Sequence, residues 1–155
     1  MQDIIPIKSG MKRILLPLLL LVAFPLLPQE EAAAGDPLFF VGMTLADLIG
    51  RFGTPSAVFA ARGNELWQDD VVFRYDGGDF YIYRDRVWQV KLVSAFGVSN
   101  GDSKRAALAA LGNTSQDRGD HALLSLTGGN WPLMLRVNFN ETGLVTAIYI
   151  YRSDF

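Results

Sequence analysis

The sequence predicts an α+β protein of two tandem helix-plus-antiparallel-meander (αβββ) repeats, with the helices packed on one face of the sheets. Three observations carry this expectation. Two short apolar helical stretches, each bounded by glycines and opened by a hydroxyl residue, lie 59 residues apart. Runs of alternating apolar and polar residues follow each one, the period of two that marks a half-buried strand. Paired glycines or Asn/Asp residues separate those runs, as tight hairpin turns require.

The first helix is expected after Gly42-Met43-Thr44, with Thr44 as N-cap and Leu45, Leu48, Ile49 and Phe52 at helical spacing. Gly53 stops it as a left-handed cap, and Pro55 prevents its resumption. The second follows Gly101-Asp102-Ser103, with Ser103 as cap, Ala107, Leu108 and Leu111 as the apolar stripe, and Gly112 as the stop. Strands are expected at 71–75, 80–84 and 87–93 in the first repeat, separated by Asp76-Gly77-Gly78-Asp79 and Asp85-Arg86. The second repeat supplies strands at 122–127, 133–139 and 144–151, turning at Gly128-Gly129-Asn130 and Asn140-Glu141-Thr142-Gly143. A short helix and three strands bury little alone. The two units are therefore expected to pack together or to pair their sheets.

Residues 11–34 read as a cleaved export signal. Met11-Lys12-Arg13 is basic, an apolar run follows from Ile14 to Leu27, and Ala32-Ala33-Ala34 offers a cleavage site before Gly35. The run holds Pro17 and Pro25 and meets Glu30-Glu31 almost at once, which disfavours a lasting membrane span. Residues 1–10 precede a second Met, fit no targeting pattern, and are expected to lie upstream of the true start. Residues 35–96 then form the first repeat and 97–155 the second. The expected location is periplasmic or secreted, with no stable membrane insertion once the signal is removed. The chain has no cysteine, which excludes a disulfide frame, thiol chemistry and a lipid tether on a mature N-terminal Cys. Its 14 Lys+Arg against 16 Asp+Glu form no basic stripe, so a nucleic-acid partner is not expected.

Gly42-Met43-Thr44, the apolar helix and Phe52-Gly53-Thr54-Pro55 resemble the SmpA/OmlA family, small outer-membrane-associated proteins that include a component of β-barrel assembly machinery. The hairpin from Phe139 to Ile148 is similar to that family's closing hairpin. Two such units in tandem also resemble the β-lactamase inhibitory protein, whose duplicated halves present a concave protein-binding face. Both resemblances imply binding or scaffolding rather than catalysis. The missing lipidation cysteine and the missing disulfides are departures from those patterns.

Few residues point to catalysis. His121 is the only histidine; neighbours in a strand point to opposite faces, which disfavours a catalytic set from Asp120, His121 and Ser125, and His121 is read as a strand-edge or turn residue. Asp69, Asp70, Asp76, Asp79 and Asp85 are read as solvated turn residues rather than a calcium site. Gly77-Gly78 and Gly128-Gly129 precede no helix, so neither cradles a phosphate. No catalytic residue, metal ligand or cofactor is assigned, and the protein is not expected to be an enzyme. Alternation instead places Phe73, Tyr75, Phe80, Ile82, Trp88 and Leu92 toward the helix, and Arg74, Tyr81, Tyr83, Gln89 and Lys91 on the other face. In the second repeat Leu135, Val137 and Phe139 face in, with Met134, Arg136 and Asn138 opposite. Tyr, Trp, Met and Arg are the residues that protein interfaces favour. The sequence therefore predicts an exported protein-binding module, inhibitor-like or scaffold-like, with Arg74, Tyr81, Tyr83, Lys91, Trp131 and Arg136 as candidate contacts for a protein partner, such as an envelope protein. An accessory role in envelope assembly is the alternative.

Overall fold

The computed structural model describes residues 36–62 and 69–154. The export signal, Gly35 and Trp67 lie outside the described residues. The described residues form one compact unit. Its elements, in chain order, are α1 (Leu45–Phe52), β1 (Ala57–Arg62), β2 (Asp69–Tyr75), β3 (Gly78–Tyr83), β4 (Arg86–Leu92), β5 (Ser94–Ala95) and β6 (Val98–Ser99). There follow α2 (Lys104–Leu111), β7 (Gln116–Asp117), β8 (His121–Leu126), β9 (Leu133–Phe139) and β10 (Val145–Arg152).

Eight strands join one sheet in the order β1-β2-β3-β4-β10-β9-β8-β7, and every pairing is antiparallel. Two tandem αβββ repeats are therefore not what the chain forms. The described residues are mostly one antiparallel sheet with two eight-residue helices. The physical reason lies in the middle of the sheet. A free three-strand meander would leave β4 and β10 each with an open row of N–H and C=O groups. Here those strands pair with one another, Leu92 opposite Ile148 and Val90 opposite Ile150, and close both edges at once. Each half also adds an outer strand beyond the expected three, β1 on one side and β7 on the other. The β5–β6 hairpin forms a separate small ladder.

Helix boundaries follow from local chemistry. Thr44 Oγ1 accepts the Asp47 N–H (3.1 Å), and the Asp47 carboxylate accepts the Thr44 N–H (3.3 Å), a reciprocal cap at the start of α1. Hydrogen bonds from Thr44 hold the Asp47 carboxyl below its ordinary range. Ser103 caps α2 through the Ala106 N–H, and Gly53 and Gly112 end the helices at φ 75° and 74°. Both helix starts are tied to a hairpin by backbone bonds: Gly42 N–H to Val87 O (2.7 Å), and Gly101 N–H to Val145 O (2.8 Å).

One face of the sheet carries the core. Phe80, Ile82, Val90, Leu92, Leu135, Val137, Ile148 and Ile150 join helical Leu48, Ala107 and Leu111 in one buried cluster. Phe40, Phe52, Tyr75 and Phe80 extend it as rings with centroids 5.3–5.6 Å apart, in tilted and edge-on arrangements.

Candidate functional site

Among the described residues the opposite face carries neither helix core nor a second layer, and its side chains fall in two rows set by strand register. Residues directly opposite one another in an antiparallel pair share a face. One row runs Arg74, Asp79, Lys91, Tyr149, Arg136 across β2, β3, β4, β10 and β9. The next runs Val72, Tyr81, Gln89, Tyr151, Met134. The β4–β10 pairing thus brings groups from distant parts of the chain side by side.

Between these rows lies a groove of about 950 Å³. Rings of Tyr81, Trp88, Tyr149 and Tyr151 line it together with Gln89, Arg136, Asn138 and Arg152. Arg136 donates from Nε to Asn138 Oδ1 at 2.8 Å, which fixes the plane of its guanidinium. Arg152 is paired with Asp154 (2.9 Å) and lies over the Trp131 ring at 3.9 Å. Asp79 is nearly covered and takes a two-pronged bond from Arg74, Nε to Oδ1 at 2.7 Å and Nη2 to Oδ2 at 3.0 Å. It is therefore no solvated turn acid. Its hydrogen bonds raise the Arg74 guanidinium above its ordinary value.

Of the six candidates drawn from the sequence, Arg74, Tyr81, Lys91 and Arg136 stand on this face in the two rows. Tyr83 shares the face but sits at its end opposite Arg86, in a separate hollow of about 170 Å³. Trp131 stands apart, packed half-buried against the core with its indole on Gly42. It touches the groove only through Arg152. Trp88 was expected to face the helix, and here the alternation fails. The β3–β4 register shifts between Tyr81 and Ile82, so Trp88 is an extra residue that turns to the groove side. Its indole N–H donates to Asp70 Oδ1 (3.0 Å). Tyr149, Tyr151 and Arg152 were not selected from the sequence. The period of two in β10 would have placed both tyrosines on one face, but only the pairing with β4 puts them beside Tyr81.

The remaining polar groups do not assemble. Asp120 meets His121 Nδ1 at 2.7 Å, and this contact holds the Asp120 carboxyl below its usual range. Ser125 lies four residues further along the same strand, roughly 13 Å away, and its hydroxyl bonds Met134 Sδ instead. Among the described residues no three of His, Asp and Glu gather to hold a metal ion.

Burial pushes the Tyr81 phenol up to about 12, with Tyr149, Asp79 and Asp70 adding to the rise and Arg74 opposing it. An acid whose folded pKa is raised contributes stability that is present below its unfolded value of about 10 and is lost as pH climbs through the folded one. Stability should therefore fall between about pH 10 and pH 12, and Tyr81→Phe should flatten that fall. Urea midpoints measured across this window check it; an unchanged slope in the variant would show that Tyr81 carries none of the effect.

No family model matches the chain, and no curated protein matches it. Two solved structures are similar to it in backbone. One is an extracellular protein containing an SCP domain from Bacillus anthracis str. Ames, with 12% identity and a TM-score of 0.49, covering 79% of this chain and 47% of that one. The other is a cysteine-rich secretory protein from Staphylococcus aureus subsp. aureus Mu50, with 12% identity and a TM-score of 0.46, covering 75% and 46%. The chain spans about half the length of each. Among the described residues no helix is long and apolar enough to cross a membrane.

Proposed function

We propose that this is a secreted, non-enzymatic protein-binding module that holds its partner on the open face of the sheet. A single observation carries the reading. One face is consumed by the core, whereas the other gathers four aromatic rings and two arginines around one groove. Tyr, Trp and Arg supply large contact area and directional bonds at little entropic cost, which is why binding energy concentrates on them. The signal-like pattern of residues 11–34 supports a location outside the cytoplasm for that surface. The double variant Tyr149→Ala/Tyr151→Ala tests the reading, because it strips two rings without touching the core face. It should fold, with a loss of about 1–2 kcal/mol from the central strand, and should retain less than about a tenth of the wild-type partner in affinity capture from the extracellular and envelope fractions. A partner held equally by wild type and variant would remove this face from the mechanism.

A further inference from the structure

Resting on the sheet-face reading above, we propose that Arg136 anchors a carboxylate of a bound polypeptide segment, which lies in the groove against Tyr81, Tyr149 and Tyr151. The argument begins with charge. Among the described residues no carboxylate lines the groove, whereas two guanidiniums do. The acids around its rim are already committed. Asp79 is held by Arg74, Asp154 by Arg152, and Asp70 accepts the Trp88 indole N–H. Asp120 is held by His121 and is largely exposed; its field reaches Arg136, but the two form no ion pair. Arg152 is neutralised by Asp154, so Arg136 is the groove cation without a carboxylate partner among the described residues.

Geometry says what that cation is ready to take. A guanidinium offers five N–H donors in a rigid fork. One is spent on Asn138, and that bond orients the rest. A carboxylate is the planar two-oxygen acceptor that matches such a fork. Tyr149 stands directly opposite Arg136, with Tyr151 and Tyr81 in the next row. None of these three phenols has a hydrogen-bond partner among the described residues. Tyr81 stays protonated across the neutral range, so it keeps an O–H to donate. Gln89 and the free amide of Asn138 add donors and acceptors suited to a peptide backbone. Rings, amides and one uncompensated fork together fit an extended chain bearing an Asp, a Glu or a C-terminal carboxylate.

The test uses a random heptapeptide library displayed on phage and panned against the full exported chain. Peptides with Asp or Glu fixed at one position should be enriched. A selected peptide, synthesised and fluorescently labelled, should bind at least tenfold more tightly than its Asn or Gln counterpart. Arg136→Gln should abolish that difference, and Arg136→Lys should restore only part of it. The acid-against-amide comparison on the wild-type protein stands even where a variant folds poorly. Enrichment of apolar peptides alone, sensitive to Tyr151→Ala but not to Arg136→Gln, would overturn the carboxylate anchor and leave the sheet-face reading in place. Arg136-dependent binding of polygalacturonate with no acidic peptide selected would overturn the polypeptide assignment. Failure to enrich any peptide would overturn both readings.

Discussion

Leu48→Ala should cost the fold about 3–4 kcal/mol, measured as the change in unfolding free energy in urea. Leu48 is fully buried, and it is the only buried side chain of α1. Eight residues are too few to hold a helix by their own hydrogen bonds. The helix therefore exists because Leu48 docks it, with Leu45 and Phe52 packed beside it against the sheet. Truncation leaves a cavity under the helix at the one position where its side chain is fully buried. The cost should exceed the transfer free energy of the missing methyl groups, since α1 also covers Phe40 and Phe80 through Phe52. Ile49→Ala, on the exposed side of the same helix, should cost less than about 1 kcal/mol. If the two variants prove equally stable, α1 is not held by its buried residue.

Gly42→Ala should be nearly as damaging, at about 3 kcal/mol. Gly42 adopts φ +96°, where a side chain is strained, and a Cβ there would run into the Trp131 indole. Neither neighbour can give way easily. The Gly42 backbone is held at both ends, its N–H by Val87 O at 2.7 Å and its carbonyl by the Arg86 guanidinium at 2.9 Å. The indole is pressed under Arg152. The two costs separate by a double-mutant cycle with Trp131→Leu. The smaller side chain should relieve the collision and leave only the backbone strain, about 1 kcal/mol. Strict additivity of the two substitutions would show that Gly42 and Trp131 do not press on each other.

Trp131 illustrates how far the sequence could be read. Its type marked it as a candidate contact, but type says nothing about which neighbour occupies the ring, and here that neighbour is a glycine 89 positions earlier in the chain. Capping chemistry is local, and so the helix ends at Thr44, Gly53, Ser103 and Gly112 were legible from a few residues each. The facing of Arg74, Tyr81, Lys91 and Arg136 was legible for the same reason, because alternation needs only one strand. Hairpin turns were legible to within two residues. The turn expected at Asp85-Arg86 falls on Arg84 and Asp85, whose φ of 47° and 65° carry the chain round.

The rest depended on partners that a single strand does not specify. The run Ala57–Arg62 alternates only weakly in hydrophobicity, and its identity as β1 comes from its ladder with β2. The bulge that turns Trp88 outward is a mismatch between two strands and cannot be seen in one. The β4–β10 pairing was beyond local pattern for the same reason. With it went the knowledge that Tyr149 and Tyr151 would stand beside Tyr81, and that the sheet would be continuous rather than divided.

That central pairing also sets when the protein becomes competent. Tyr81, Trp88 and Gln89 come from the middle of the sequence, whereas Tyr149, Tyr151 and Arg152 come from its last strand. Contacts between segments so far apart form late, because the entropy of closing the long intervening loop must be met first. A chain clipped ahead of β10 has half a groove and an open sheet edge in its place. On the proposed reading, the groove is whole only once β10 has paired with β4, so a partner would meet it only on the folded sheet.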